Sequence, residues 1–431
     1  MRIASVYIPS FPLQAALVGQ AAACPGQAPG RDGAEGAACG ALAIITQPAV
    51  GSPVVVACSR AAWSAGVRPG MSATVARTLV PGLACAVADV TAERALLGAV
   101  AEALLAVSPR VELGGDPRGQ HHMMYAEVPA GKRGSWFGGK VREVLALFGL
   151  RGRVGIADDR FTAYVAASTG ARDARDGRDG RDGRDHGDDD AVVCVPRGGS
   201  AAFLAPHPLS LLPLGPEVLH MLAALGVRTL GAFAELPPPS VLRPERGGWD
   251  ADFQALARGD GGARLEPYAP TGAIAERVAL GAPGTPSVGA AVELLARRLA
   301  ARAAGRAGHQ APAVELMVRL TGSGAPAIRA AHVPGADSDG LADAIGRALG
   351  GQSWSVIEVI ARPEVAAATA AVAPSASAAP VRHEVEPVAP LVLLPGPAVY
   401  GRGGELVEHR RTRRGKQRPR IVAGQARLFG D

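Results

Sequence analysis

The sequence predicts a mixed α/β fold of several domains, and three observations support this. At 431 residues, the chain exceeds the size at which a single hydrophobic core keeps growing, so two or more domains are expected. Short apolar runs typical of strands alternate with alanine- and leucine-rich runs typical of helices. Hydrophobic residues make up 48% of the chain, which is enough to fill several cores.

The first half of the chain alternates predicted strands and helices, separated by loops rich in glycine and proline such as residues 25–40. The strand over 154–156 ends at Asp158, which is predicted to cap a helix through Ala167. The other predicted elements are strands over 3–8, 42–46 and 53–58 and helices over 13–18, from Ser59, from Ser72 as N-cap, over 91–107 and over 141–148.

Residues 171–190 interrupt this pattern with repeated Arg-Asp-Gly triplets and a final run of aspartates. The segment has no large apolar side chain, so burial cannot offset the entropy of ordering it, and it is predicted to be a disordered insertion. The alternative is a metal site in the aspartate run, but the interspersed arginines favour a solvated segment.

A helical hairpin is predicted after this insertion. A helix over 216–225, a turn at Gly226 and Val227, and a second helix over 229–236 resemble a helix-hairpin-helix. Such hairpins offer backbone N–H groups and a helix N-terminus to a phosphate, and Arg228 beside the turn adds charge. The alternative is an ordinary αα-hairpin within a core. The positions predicted to contact DNA are Gly215, Leu225, Gly226, Val227 and Arg228.

Residues 272–363 predict a second, smaller α/β domain. Four arginines lie near one another on its first helix, and two of them, Arg297 and Arg298, are predicted to contact DNA; a solvated helix face is the alternative. The predicted elements are helices over 288–304 and 338–349 and strands over 314–320 and 355–361.

The charge distribution favours an anionic partner. The formal net charge is +6, and residues 410–420 carry seven positive charges without one acid, which attracts phosphates without sequence preference. A tail that only aids solubility is the alternative. The linker over 364–400 is rich in alanine, proline and serine.

Cysteine spacing and hydropathy indicate a cytoplasmic protein. The five cysteines form neither a C-x-x-C pair nor a zinc spacing, so reduced thiols and no metal are expected. The apolar start of the chain is interrupted by Ser5, Pro9 and Gln14, so no membrane contact is expected.

Five motifs in order link the chain to a known family. They are Arg2–Gln14, Gly66–Met71 with Ala76–Gly82, Ser108–Glu112, the predicted turn Trp136–Gly139, and Val154–Ala163. Together they resemble the Y-family translesion DNA polymerases, and the closest subgroup is the ImuB-type homologues of mutagenic repair operons, which lack the metal ligands. The resemblance implies a palm over 1–12 and 83–200, fingers over 13–82, a thumb over 201–270, a little finger over 271–363 that grips the duplex, and a tail over 364–431.

The resemblance also implies a degenerate catalytic site. Active members carry acids at the positions that match Tyr7 and Pro9, and an Asp-Glu pair where this chain has His122 and Met123. Magnesium requires hard oxygen ligands, so no catalytic residue, no metal and no cofactor is expected. The alternative is an active polymerase that holds magnesium through other acids, with Glu112, Asp116 and Glu127 as the candidates.

The chain closes with Gln425-Ala426-Arg427-Leu428-Phe429, which resembles the Q-x-x-L-F peptide that docks bacterial polymerases on the sliding clamp. Gln425, Leu428 and Phe429 are therefore the predicted clamp-binding residues. The expected function is a nucleoid-associated protein that binds DNA and the clamp and recruits a replicative-type error-prone polymerase, with a RecA-like accessory protein as a further partner by resemblance. A plain DNA-binding protein without a clamp contact is another alternative.

Overall fold

The structure, a computed structural model, describes residues 1–23, 40–46, 51–114, 123–169, 192–237, 251–261, 264–280, 286–307, 312–322, 326–350 and 353–363. Three segments named above lie outside these ranges. They are the loop over 25–40 except its last residue, the insertion over 171–190 and the tail over 364–431. The fold is mixed α/β and contains several units, as predicted, with three separate sheets in the described residues.

The strands in chain order are β1 (Ile3–Tyr7), β2 (Leu42–Ile45), β3 (Val55–Cys58), β4 (Ala84–Val87), β5 (Val111–Gly114), β6 (Met123–Glu127), β7 (Arg153–Ala157), β8 (Val192–Cys194), β9 (Ile274–Ala279), β10 (Val314–Thr321), β11 (Ala327–Val333) and β12 (Val356–Pro363). The helices are α1 (Phe11–Ala23), α2 (Arg60–Ser64), α3 (Ala73–Leu79), α4 (Val90–Leu105), α5 (Gly134–Leu147), α6 (Arg160–Thr169), α7 (Ser200–Leu204), α8 (Pro216–Ala224), α9 (Leu230–Ala234), α10 (Ala251–Arg258), α11 (Val288–Arg306) and α12 (Ser338–Leu349). None of these helices is long and apolar enough to span a bilayer.

A central sheet of five strands, in the order β5-β6-β1-β7-β8, organises the first half of the chain. Side chains alternate between the faces of a strand, so Ala4 and Val6 point to one side and Ile3 and Tyr7 to the other. The first side packs on α4 and α5, and the second packs on α6 and the helices that follow. We call the second side the Tyr7 face.

Residues 136–139, predicted as a turn, lie inside helix α5, and this prediction was wrong. Packing against β8 explains the helix. A Cβ on Gly138 would fall 2.4 Å from a methyl carbon of Val192, so the glycine allows the helix to approach the sheet edge. Glycine weakens a helix by roughly 0.5–1 kcal/mol, and tertiary packing overrides that preference here.

A small sheet, in the order β3-β2-β4, carries its own core together with α2 and α3. Both predicted caps are present, because the Ser59 hydroxyl accepts from the Ala62 N–H and the Ser72 hydroxyl accepts from the Val75 N–H. Strand β4 was not predicted.

The C-terminal unit is a four-stranded antiparallel sheet, in the order β11-β10-β12-β9, with α11 and α12 on one face. The predicted helix over 338–349 is α12, and the predicted helix over 288–304 is α11, which extends two residues further. Edge strands β9 and β11 were missed. We call the face without helices in the described residues the open face; its exposed or half-buried side chains are Ala275, Arg277, Glu315, Met317, Arg319, Ile328, Ala330, His332, Glu358, Ile360 and Arg362.

Candidate functional site

The end of strand β1 brings together residues that the sequence singled out for metal binding. Tyr7 lies opposite Met123 on β6 and Arg153 on β7, and Met123 lies opposite Gly114 on β5. Directly opposed residues in antiparallel strands have Cα atoms about 4.5–5.5 Å apart, so the row is continuous. Pro9 follows the strand and is half-buried, while His122 lies outside the described residues.

A tight turn fixes the end of β1. Ser10 has a φ of 47°, in the left-handed region that residues other than glycine rarely adopt. Its carbonyl accepts hydrogen bonds from the Leu13 and Gln14 amides at 2.8 and 3.2 Å. The Gln14 amide group donates to the carbonyls of Pro9 and Arg151 at 2.8 and 3.1 Å, so the turn is joined to the start of β7.

Two arginine–tyrosine stacks lie on the Tyr7 face. The Arg153 guanidinium carbon is 5.5 Å from the centre of the Tyr7 ring, and that of Arg160 is 4.1 Å from the centre of the Tyr125 ring. Arg153 also donates to a backbone carbonyl of α6 at 3.3 Å, and it has no carboxylate partner among the described residues. A guanidinium repels a divalent cation, so Arg153 disfavours magnesium beside Tyr7.

The residues of this row do not fit a two-metal magnesium site. Magnesium is held by carboxylates and other hard oxygen ligands, and the row consists of a glycine, a methionine, a tyrosine and an arginine. Within the described ranges, no group of three histidine, cysteine, aspartate or glutamate side chains is arranged to hold a metal ion.

Glu112, one candidate substitute ligand, is engaged in internal contacts. One carboxylate oxygen lies 2.7 Å from the Arg160 guanidinium, and the other accepts a hydrogen bond from the Glu266 backbone N–H at 2.8 Å. The residue is 7% exposed. Coordination of a metal by Glu112 therefore requires that the ion pair with Arg160 first be broken.

Glu127, a second candidate ligand, lies away from Tyr7. Glu127 lies four residues along β6 from Met123, roughly 13 Å at 3.3 Å per residue, and its carboxylate is 3.7 Å from Arg110. Asp116 lies outside the described residues.

The aspartates after β7 have structural roles. Asp159, and not Asp158 as predicted, caps helix α6, because its carboxylate accepts from the Thr162 N–H at 2.8 Å. Its second oxygen accepts from the Ser200 hydroxyl at 2.8 Å. Asp158 instead accepts from the Gly198 N–H at 2.8 Å. The helix starts one residue later than the sequence suggested, which shifts the cap.

Helices α8 and α9 and the turn between them form the predicted hairpin. Gly226 has a φ of 85°, which a glycine adopts readily, and Arg228 is exposed. The turn amides are used internally, since the N–H groups of Gly226 and Val227 donate to carbonyls of α8 at 3.1 and 2.9 Å. Leu225, beside the turn, is 72% exposed and Val227 packs into the core.

The start of α9 has no amide left for a phosphate in its first three residues. The first two donate to the carbonyls of His207 and Ala205 at 2.9 and 3.1 Å, and the third donates to the Thr229 hydroxyl at 3.2 Å. The start of α8 differs. Its N-cap, Gly215, supplies no side-chain cap, and the amides of Glu217 and Val218 have no acceptor within the described residues.

Arg298, predicted to contact DNA, lies in the interior instead. Its Nε donates to the Leu147 carbonyl at 2.9 Å, and its guanidinium is 3.6 Å from the Glu276 carboxylate. Burial lowers the pKa of Arg298, and the Glu276 charge partly offsets this. Helical spacing gave no sign of this, because the packing partner is distant in sequence. Arg297 is exposed, and its Nε donates to a carbonyl of its own helix, that of Glu293, at 3.4 Å.

The predicted clamp peptide with Gln425, Leu428 and Phe429, and the basic run over 410–420, lie outside the described residues.

Comparison with known proteins gives structural neighbours only. No protein-family profile matches the chain, and no curated protein is similar in sequence. The fold aligns with the "Y-family DNA polymerase chimera Dbh-Dpo4(243-245)-Dbh" at 13% identity and a TM-score of 0.46, covering 85% of this chain and 99% of that one. It aligns with DinB from Sulfolobus solfataricus at 12% identity and a TM-score of 0.44, with the same coverage. An insertion ternary complex of Dbh DNA polymerase gives 14% identity and a TM-score of 0.45, covering 84% and 99%. At such identities and TM-scores, function has to be inferred from the chain's own residues.

Proposed function

We propose that this protein is a non-catalytic relative of the Y-family DNA polymerases, of ImuB type, that binds DNA and the sliding clamp and recruits an error-prone polymerase to damaged DNA. The row Gly114–Met123–Tyr7–Arg153 carries the proposal. It presents an arginine and no carboxylate at the end of the strand where the motif resemblance calls for metal ligands. The protein acts in the cytoplasm, at the nucleoid, with no membrane partner.

The missing carboxylates bear directly on chemistry. Two-metal nucleotidyl transfer holds the attacking and leaving oxygens between two magnesium ions. The loss of one ion removes several kcal/mol of transition-state stabilisation, which lowers the rate about a thousandfold or more. The contacts of Glu112 with Arg160 and Glu266 oppose its use as a substitute.

DNA binding is supported at both ends of helix α8, at Arg297 and on the open face. The N-terminus of α8 offers the unused amides of Glu217 and Val218, although the Glu217 carboxylate opposes an anion there. Arg228 and Arg297 are exposed, and the open face carries Arg277, Arg319 and Arg362 against two glutamates. These contacts are with phosphate, so binding without sequence preference is expected.

Clamp binding is supported by the terminal peptide. Burial of Leu428 and Phe429 in an apolar pocket contributes roughly 3–6 kcal/mol, before the entropy of ordering the peptide is subtracted. The result is a reversible tether of about micromolar strength or weaker. The recruited polymerase and a RecA-like accessory protein complete the proposed assembly.

Primer extension tests the non-catalytic part of the proposal. With a primed template, nucleoside triphosphates and magnesium or manganese, the wild type is expected to add no nucleotide above the background without protein. Glu112→Gln serves as the diagnostic variant. Template-directed incorporation that this variant abolishes would establish an active polymerase with unusual ligands and overturn the proposal.

Pull-down of the purified sliding clamp tests the tether. The double variant Leu428→Ala, Phe429→Ala is expected to lose capture, because both apolar anchors are removed. The matched control is Ile421→Ala, Val422→Ala, which removes two apolar side chains a few residues upstream and is expected to retain capture. Equal capture by all three proteins would contradict a tether at the terminal peptide.

Anisotropy titration of a labelled duplex tests the hairpin contact. Arg228→Gln is expected to weaken binding to unrelated sequences equally and to lower the salt slope of log K by about 0.9. Arg94→Gln, an exposed arginine on α4, is the control. An unchanged slope for Arg228→Gln would remove the hairpin turn from the DNA interface.

A further inference from the structure

Helix α11 connects the C-terminal unit to the central sheet. Its apolar side, including Leu295 and Leu299, packs into the core of the C-terminal sheet. Its other side packs along α4, which belongs to the central sheet. The approach is very close, because a Cβ on Gly305 would fall 1.8 Å from the Glu102 carbonyl oxygen. The two units therefore share one helix–helix seam.

A cluster of five charged residues, Glu102, Glu276, Arg298, Arg302 and Arg306, lies in this seam; we call it the charged cluster. Glu102 accepts from Arg302 Nε and Arg306 Nη2, both at 2.8 Å. Glu276 lies 2.7 Å from Arg302 and 3.6 Å from Arg298. Each glutamate thus bridges two arginines, and no side chain of the cluster is more than 13% exposed.

Glu102 is the acid that the central unit contributes. The other four residues belong to β9 and α11 of the C-terminal unit. Burial alone lowers the pKa of Arg302, but hydrogen bonds and charge from Glu102 and Glu276 outweigh it and raise that pKa. When one partner of a buried ion pair is removed, the remaining charge is left uncompensated. The position of the C-terminal unit is therefore sensitive to a single carboxylate.

The order of layers separates two of the surfaces proposed to meet DNA, the open face and the hairpin, which packs on the Tyr7 face. From one side to the other, the molecule consists of the Tyr7 face, the rest of the central sheet, α4 with α5, α11 with α12, and the C-terminal sheet with its open face. With layers packing roughly 8–10 Å apart, the hairpin and the open face lie on the order of 30 Å or more apart, on opposite sides of this stack of layers. One duplex cannot lie against both.

We propose that the charged cluster is a latch that holds the C-terminal unit on the back of the central sheet in the DNA-free protein, and that duplex DNA engages both surfaces only after the seam opens. The inference rests on the proposed DNA binding. In the latched form Arg298, Arg302 and Arg306 are withheld from phosphates by Glu102 and Glu276. Apparent affinity for DNA is then reduced in proportion to the open fraction.

The test uses the full-length protein with Glu102→Gln, which keeps the side-chain shape and removes the charge shared by Arg302 and Arg306. Small-angle scattering of the free protein is expected to show a larger radius of gyration. Anisotropy titration is expected to show a lower Kd for a duplex, by about tenfold if one molecule in ten is open in the wild type. Glu93→Gln, on the same helix without an ion pair across the seam, is the matched control and is expected to change neither quantity.

A second variant keeps the test valid if Glu102→Gln unfolds. Arg306→Gln removes the Glu102 contact at the end of the cluster and leaves the Arg302 bridge in place, so a smaller shift in the same direction is expected. A more open protein that binds the duplex no more tightly than the wild type would contradict the latch, as would an unchanged radius of gyration in both variants. If the wild type binds no duplex at all, the proposed function fails, while scattering still reports on the seam.

Discussion

The carboxylate of Asp159 joins two helices. It caps α6 through the Thr162 N–H and accepts from the Ser200 hydroxyl at the start of α7, each at 2.8 Å, and the residue is buried. Both donors would remain unsatisfied in its absence. This residue therefore stabilises the position of the chain on either side of the insertion over 171–190.

Asp159→Ala is expected to lower the free energy of unfolding by about 3 kcal/mol, the sum of a lost cap and of a buried donor without a partner. Asp89→Ala is the control, because Asp89 caps α4 through two amides at an exposed site and its loss should cost about 1 kcal/mol. Urea denaturation followed by circular dichroism measures both. Equal losses would show that the Ser200 contact contributes little.

Residue types in the sequence predicted part of the candidate site. Tyr7 and Met123 were singled out from motif order alone, and they are direct neighbours in the sheet. The arginine beside them was not predicted, because the pairing of β7 with β1 depends on packing across the sheet and not on local pattern. The alternation of residues 151–157 was the only signal that Arg153 points to the same face as Tyr7.

Helix α6 approaches β7 and β1 through small residues. A Cβ on Gly155 would fall 2.2 Å from the Ala163 carbonyl oxygen and 2.4 Å from the Ala167 nitrogen, both backbone atoms. Backbone cannot rotate away as a side chain can. The glycine is therefore required for this helix to cover the Tyr7 face.

Gly155→Ala is expected to destabilise the protein by about 3 kcal/mol, because the helix must move or strain. Gly139→Ala is the matched control, since a Cβ there meets nothing within 4 Å inside helix α5, and it is expected to stabilise by up to about 1 kcal/mol. Thermal unfolding compares the two. A neutral Gly155→Ala would mean that α6 is free to shift on the sheet.

Caps and apolar periodicity predicted most helices, and the missed elements share a physical cause. Ser72 is an N-cap in the structure, as expected from the sequence, and Ser59 and Thr229 cap the helices that were predicted to start at them. Strand β11 was missed because five of its seven residues are alanine, arginine or histidine in an edge position with little apolar alternation. Edge strands gain their pairing from a neighbour, so their own sequence indicates them weakly.

The sequence did not predict how the C-terminal unit packs on the central unit. The C-terminal α/β unit was predicted, but its docking depends on a contact between Glu102 and Arg302, which are 200 residues apart. Local pattern carries no information on such a contact. The burial of Arg298 was missed for the same reason, since helical spacing alone cannot tell a solvated arginine from one held by another unit.

The basic run over 410–420 is expected to add a salt-dependent component to DNA binding by the full chain. Replacing its seven arginines and lysines by glutamine should reduce the slope of log K against log salt by about 0.9 for each residue that contacts a phosphate. Anisotropy titrations at several salt concentrations measure the slope, with clamp capture as the control for an intact tail. An unchanged slope would assign all phosphate contacts to the folded units.

Gly305 allows the packing between the two units to be changed without altering any charge. A glycine in the interior of a helix lowers the stability of the helix by roughly 1 kcal/mol relative to alanine. Alanine would therefore be the better residue if α11 made no contact with α4. Its neighbour, the Glu102 carbonyl oxygen, leaves no space for even one methyl group. Gly305→Ala thus places one methyl group between α11 and α4. Small-angle scattering should show the same increase in the radius of gyration as for Glu102→Gln, although no charge has changed.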